Sequence, residues 1–210
     1  MISFLLDACA VARHYFPDVG TANVDQIFAY PESIRVIPNL ARVETASAMI
    51  AAFNGGVIGR DVLDLALTTF LDDVQKRKVA EVKVGDQHIS DGIHLLQRHK
   101  YVPRGLMGTG KAGIGGADAI YLAIALALAR EAKKAGDRLV FVTSDWALYQ
   151  SALDEPELEV FHFWTCQCSG CGNVHIPVKA RDNVCPVCGK SCRPCRFENC
   201  DSTFTVDFRR

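Results

Sequence analysis

The chain has 210 residues, with 23 Lys and Arg against 24 Asp and Glu, and 49% of its residues are hydrophobic. That length and apolar content exclude a disordered chain and fit one domain with a buried core plus a small appendage better than two full domains. The formal charge of −1 is unevenly spread: residues 164–210 hold seven Lys/Arg against four Asp/Glu, and residues 1–163 hold sixteen against twenty. An acidic body with a mildly basic tail suits a metal-dependent enzyme whose tail touches an anionic partner, and it also suits many ordinary solvated surfaces.

In chain order, Ile2–Leu6 is a strand, followed by a short helix over Ala8–Tyr15 and a loop over Pro17–Asn23. Val24–Tyr30 reads as a helix and Ile34–Ile37 as a second strand. A helix begins at Pro38-Asn39 and runs to about Asn54, where Gly55-Gly56 stops it. Gly59–Lys78 is a long helix whose expected buried stripe is Val62, Leu63, Leu65, Ala66, Leu67, Phe70, Leu71 and Val74. Val79–Val84 alternates like an edge strand, and Gln87–His99 has a helical period. Tyr101–Gly116 is Gly-rich and irregular, Ala117–Lys134 is a buried helix capped by Gly136, and Arg138–Thr143 is a strand. Asp145–Leu153 is helical, and Leu158–Phe163 is the last strand of this body.

Strands alternating with helices imply right-handed crossovers and a mostly parallel sheet covered on both faces. No secretion signal is expected, since Asp7 interrupts the short apolar start and no basic region precedes it. Ala119–Ala129, bounded by Asp118 and Arg130, is too short to span a membrane. The expectation is a soluble, cytoplasmic protein.

Four acids stand where an apolar chain least tolerates them. Asp7 follows the run Ile2-Ser3-Phe4-Leu5-Leu6, and Asp145 follows Leu139-Val140-Phe141-Val142-Thr143-Ser144. Glu44 has Leu40, Ser47 and Ala48 as its neighbours one turn away, and Asp118 opens the buried helix. Uncompensated buried carboxylates cost several kcal/mol each, roughly, so they call for partners or a cation. Bland alternatives stay open for each. Asp7 and Asp145 are natural N-caps, Asp118 suits a helix N-terminus, and Glu44 could pair with Arg42 or a remote Arg. In parallel sheets ligands bind outside the carboxyl ends of the strands, where Asp7 and Asp145 lie.

Phe4-Leu5-Leu6-Asp7-Ala8, Leu40-Ala41-Arg42-Val43-Glu44, Gly116-Ala117-Asp118-Ala119-Ile120-Tyr121-Leu122-Ala123-Ile124-Ala125 and Val142-Thr143-Ser144-Asp145 resemble, in order and spacing, the motifs of PIN-domain nucleases. The resemblance covers roughly residues 1–163. It implies a five-stranded, parallel, three-layer α/β/α fold in which Asp7, Glu44, Asp118 and Asp145 bind one or two Mg²⁺ or Mn²⁺ ions for RNA phosphodiester hydrolysis. Thr143 matches a hydroxyl position beside the last acid. Cys9 departs from the pattern, standing where Ser is frequent; by composition alone it reads as a small buried hydrophobe. Hard, oxygen-seeking, water-retaining Mg²⁺ suits such a carboxylate set. Asp7 and Asp118 are expected to ligate metal most directly, and Glu44 and Asp145 to ligate it or orient the attacking water.

Two glycine-rich stretches imitate phosphate loops. Gly105–Ala112 nearly matches a P-loop and Gly108–Gly113 matches GxGxxG, but Ala112 replaces the Ser or Thr that would hold Mg²⁺. The stretch reads instead as a loop beside the acids, in which Lys100, Arg104 and Lys111 either contact phosphates or are simply solvated.

Eight of the nine cysteines fall between Cys166 and Cys200. Cys168-Ser169-Gly170-Cys171 and Cys185-Pro186-Val187-Cys188 are two CxxC knuckles thirteen residues apart, each followed by Gly, and they resemble a zinc ribbon. Four thiolates give a closed structural Zn²⁺ site, whose binding energy would replace the core that so small a module lacks. Disulfides and an iron–sulfur centre are the alternatives. Cys166, Cys192, Cys195 and Cys200 either form a second zinc site or do not. Lys190, Arg193, Arg196, Arg209 and Arg210, interleaved with Phe197, Phe204 and Phe208, form either an RNA-stacking surface or the ribbon's own small core.

The expected organisation is therefore a PIN-like nuclease domain over 1–163 and a zinc ribbon over 164–210. The expected function is a metal-dependent endoribonuclease. Its compact size resembles VapC-type toxins held by a small antitoxin protein; PIN plus zinc ribbon resembles enzymes that trim precursor ribosomal RNA. A non-catalytic RNA- or protein-binding adaptor is the rival class, and a homodimer through an apolar helix face is a further expectation.

Overall fold

The computed structural model describes residues 1–16, 20–99 and 113–163, together with the backbone of two short strands at 166–167 and 174–175. Five strands form one parallel sheet: β1 (Ile2–Leu6), β2 (Ser33–Pro38), β3 (Ala80–Val82), β4 (Arg138–Thr143) and β5 (Glu159–His162). Their order is β3-β2-β1-β4-β5. Phe4, Leu5, Leu6, Val140, Phe141 and Val142 are fully buried, as central parallel strands covered on both faces must be.

The helices α1 (Ala8–Tyr15), α2 (Thr21–Phe28), α3 (Ala41–Asn54) and α4 (Arg60–Gln75) pack among themselves, while α5 (Asp86–Arg98) packs on α6 (Gly116–Ala135) and α6 on α7 (Trp146–Leu153). These two groups are the outer layers of the α/β/α arrangement that the sequence leads one to expect. Beyond it, β6 (Cys166–Gln167) and β7 (Val174–His175) pair antiparallel. Among the described residues, no helix is long and apolar enough to cross a membrane.

Local sequence explains most boundaries. Gly136, at φ 72°, closes α6 in the left-handed conformation that its missing Cβ permits. Gly20, at φ 82°, precedes α2 where a Cβ would stand 2.5 Å from the Phe163 ring, so only Gly lets that loop seat against the end of β5. Three details differ from expectation. Helix α2 starts at Thr21, inside the stretch expected as loop, and ends at Phe28 rather than Tyr30. The Pro38-Asn39 pair does not open α3: Pro38 is the last residue of β2, paired with Val82, and Asn39 Oδ1 accepts from Val84 N–H instead. On α4 the buried stripe is narrower than the apolar pattern, because Leu65 and Leu71 are 69% and 54% exposed. Leu63, Ala66, Phe70 and Val74 face the core, and with them the buried Asp73. That acid is satisfied by Lys78 Nζ at 2.6 Å and the Tyr15 hydroxyl at 3.3 Å.

Candidate active site

The chain builds β1, β2 and β3 toward one edge, then returns to lay β4 on the other side of β1 and β5 beyond it. The strand order reverses between β1 and β4, and at such a reversal parallel sheets bind ligands outside the carboxyl ends of their strands. Asp7 and Asp145 both emerge there. Leu6 is in register with Val142, and Asp7 N–H extends the ladder by donating to Val142 O at 3.0 Å. The next residue of β4, Thr143, is buried and bridges the two acids. Its hydroxyl donates to Asp7 Oδ2 at 2.5 Å and accepts from the Asp145 N–H at 3.0 Å.

Each acid is also tied locally. Asp7 Oδ1 accepts from Cys9 N–H at 2.9 Å and caps α1; Asp145 Oδ1 accepts from Leu148 N–H at 3.0 Å and caps α7. Asp118 Oδ2 accepts from Gly115 N–H at 2.8 Å at the start of α6. The capping alternatives for these three are thus realised. Glu44 differs: Arg42 turns away to Glu81, and Glu44 Oε2 accepts from the Tyr121 hydroxyl at 2.8 Å. Tyr121 is 3% exposed and sits one turn after Asp118 on α6.

Charge interactions connect Asp7 with Asp118 and Asp145, and Glu44 with Asp118. Burial pushes the Asp7 carboxyl up to about 6; its hydrogen bonds to Thr143 and Cys9 oppose this, and the charges of Asp118 and Asp145 add to it. Glu44 is raised by burial and by Asp118, against its hydrogen bond to Tyr121. The Tyr121 hydroxyl is driven well above its ordinary range by burial, then by Asp7 and Glu44. The Cys9 thiol is pushed up to about 12, first by the Asp7 charge and then by the protein atoms crowding it although the residue reaches solvent, with Asp145 and Glu44 adding and Arg13 opposing. Among the described residues, no ion pair reaches Asp7, Glu44 or Asp118.

A divalent cation can be tested against this arrangement. Among the described residues, no three His, Cys, Asp or Glu side chains stand close enough to enclose an ion as they are. The chemistry of the donors nonetheless fits a hard cation. The charges of Asp118 and Asp145 raise Asp7 and that of Asp118 raises Glu44, and an ionised carboxylate offers acceptor sites on both oxygens. Mg²⁺ and Mn²⁺ bind such oxygens, and Mg²⁺ retains several waters, so the protein need not close a full shell around it.

The outcome for the individual residues is mixed. Thr143 stands beside the acids as its hydroxyl position leads one to expect. Cys9 is exposed rather than buried, because the second residue of α1 turns away from the core that Ala8 and Ala10 face. Tyr121 escaped sequence reasoning; its spacing of three from Asp118, which puts both on one helix face, was the available signal. Lys100, Arg104 and Lys111, the phosphate-loop imitations, the side chain of Cys166, and Cys168, Cys171, Cys185, Cys188, Cys192, Cys195 and Cys200 lie outside the described residues.

No family model matches the chain, and no curated protein matches it. Among solved structures it is similar to VapBC2 from Rickettsia felis, solved bound to a DNA fragment from its promoter, at 13% identity over 77% of this chain and 98% of that one, with a TM-score of 0.46. It is similar to FitAcB from Neisseria gonorrhoeae at 13% identity over 77% of this chain and 98% of that one, with a TM-score of 0.47. It is also similar to PAE2754 from Pyrobaculum aerophilum at 17% identity over 76% of this chain and 83% of that one, with a TM-score of 0.45.

Proposed function

We propose that residues 1–163 form a PIN-like endoribonuclease that depends on Mg²⁺ or Mn²⁺, and that residues 164–210 form a zinc ribbon held by Cys168, Cys171, Cys185 and Cys188. One observation carries the catalytic reading. Asp7 and Asp145 stand just beyond the carboxyl ends of β1 and β4, Asp118 interacts electrostatically with Asp7 and with Glu44, and among the described residues Asp7, Glu44 and Asp118 have no cationic side chain paired with them. When bound there, a hard divalent ion supplies charge neutralisation for an RNA phosphate and a lowered pKa for the attacking water.

The chain's own groups do the positioning. Thr143 and the Cys9 N–H fix both oxygens of Asp7, so that carboxylate is presented rigidly. Asp118 interacts electrostatically with both Asp7 and Glu44 and is the natural second ligand. Glu44 and Asp145, both half-buried, complete the ligand set or orient the water. The substrate is single-stranded RNA, and the basic tail, with its interleaved phenylalanines, adds contact to it.

The compact size of the catalytic body supports a role as the toxin of a toxin–antitoxin pair, cytoplasmic and bound by a small antitoxin, with a second copy as a further partner. The paired CxxC knuckles favour a second role, in trimming precursor ribosomal RNA. Cleavage of single-stranded RNA across a Mg²⁺ or Mn²⁺ titration is the decisive test. Wild-type protein should cleave, EDTA should stop it, and Asp118→Asn should be inactive while keeping its fold. Undiminished cleavage by Asp118→Asn, or RNA binding without cleavage at any divalent concentration, would overturn the nuclease reading and support the adaptor. Sequencing RNA ends after controlled expression separates the two roles.

A further inference from the structure

The carboxyl ends of β4 and β5 carry aromatic rings for which the proposed chemistry has no use. Trp146, the first residue of α7, follows Asp145 directly, and Tyr149 stands one turn later. Both are half-buried. Phe4, Phe70 and Phe141 are fully buried in the core, and the half-buried Tyr15, Phe28 and Phe53 pack against it. Among the described residues, Trp146 and Tyr149 do neither. They pack on each other, with ring centroids 5.9 Å apart, and on the buried His162 at 6.4 and 5.1 Å. All three contacts are tilted or edge-to-face, so none of these rings lies flat on another as His14 lies on Phe28. The indole Nε1 is buried with no hydrogen-bond partner among the described residues, so Trp146 does not present its polar edge to solvent.

We propose that Trp146 and Tyr149 form a stacking platform for a nucleobase of single-stranded RNA, next to the phosphate that is cut. This rests on the nuclease reading above. Strand register places the rings beside the acids. Thr143, whose hydroxyl holds Asp7, pairs with His162 across β4 and β5, and Phe163 N–H donates to Thr143 O at 3.3 Å. Neighbouring strands lie about 4.8 Å apart, so the aromatic end of β5 is two strand spacings, or ~10 Å, from the end of β1 that carries Asp7. An RNA strand with one phosphate at the acids has its adjoining base within that reach. Acids give a polyanion no hold of their own, whereas an aromatic face holds a base without regard to charge. His162 suits a neutral support, since burial lowers its ring to about 4 and leaves it uncharged at neutral pH. Every base has a π-face, so the platform grips RNA without reading its sequence.

Binding measured apart from turnover tests this. Without added Mg²⁺ or Mn²⁺, full-length protein is titrated into a short fluorescent oligoadenylate, and into a strand of equal length built from abasic units. Trp146→Leu keeps apolar bulk but has no π-face. It should weaken oligoadenylate binding by about 5–100-fold, the range for one stacked base, and leave the abasic strand's affinity unchanged. Trp146→Phe should keep most of the affinity, and Tyr149→Leu should weaken it in the same direction as Trp146→Leu. A second readout leaves the platform intact. The chain has two tryptophans, so in Trp164→Phe protein only Trp146 emits, and oligoadenylate should quench that emission while the abasic strand does not. Equal losses for both strands, a Leu variant that binds as well as the Phe variant, or unquenched emission overturns the inference, while cleavage in Mn²⁺ keeps the nuclease reading standing. Wild-type protein that neither binds oligoadenylate nor cleaves it in Mn²⁺ overturns both together.

Discussion

Asp7 and Glu155 are buried to the same 7%, yet the fold treats them in opposite ways. Glu155, just beyond α7, receives Arg98 at 2.8 and 3.1 Å and the buried His99 at 2.9 Å, so a cation and a ring nitrogen compensate its charge. Asp7 receives a hydroxyl and one N–H, with two further acids in electrostatic range. The pair teaches that depth of burial does not decide how an acid's charge is compensated. The sign of its surroundings does.

The contrast can be broken most forcefully at Glu155. Replacing it with Ala should destabilise the protein by about 3 kcal/mol, since His99 and Arg98 lose the charge they were arranged around. Urea denaturation measures this, and a change below about 1 kcal/mol would mean the cluster is ornamental. Asp7 should behave oppositely. Its folded value of about 6 exceeds the ordinary 3.8, so between those values the folded state binds the extra proton. The Asp7 contribution to stability is therefore greatest below about pH 4, falls as pH rises through 6, and then levels, at a cost of up to about 3 kcal/mol. Asp7→Asn should therefore be more stable than wild type at pH 8 and nearly equal to it at pH 4. A loss of stability at pH 8 would show that its hydrogen bonds outweigh its desolvation.

Thr143→Val probes the bridge itself. It leaves the Asp7 carboxylate and the Asp145 N–H without their shared hydroxyl and should cost about 2 kcal/mol at pH 8, whereas Thr143→Ser should restore most of it. The smallest effect sharpens the electrostatic reading without touching stability. Cys9 is exposed, but its thiol is pushed up to about 12, so alkylation at pH 8 should be slow for a surface cysteine. Peptide mapping of the labelled chain should find Cys9 lagging, and Asp7→Asn should accelerate it because the Asp7 charge is the leading cause. Equal rates in both proteins would remove Asp7 from that role.

Much of the framework was legible beforehand, for identifiable reasons. β1 and β4 announced themselves because a central parallel strand must be apolar on both faces, and α6 because it is apolar nearly all round and ends on Gly136. Asp7, Glu44, Asp118 and Asp145 stood out against that background as charges in apolar company. The pattern misled at Leu65 and Leu71, since single apolar residues on a helix flank commonly remain exposed. It misled at Cys9, whose composition-based expectation of burial ignored which face of α1 the residue occupies.

The spacing of apolar runs and helix signals along the chain was enough to determine a parallel α/β body with acids at the carboxyl ends of its strands, because local periodicity and burial obey short-range rules. Pairing across long separations was decided only by the tertiary structure. Thr143 meets Asp7 across 136 positions, Tyr121 meets Glu44 across 77, and Glu155 rather than Asp7 gains the arginine. A hydrogen bond between distant segments depends on register and strand order, and no window of sequence contains both partners.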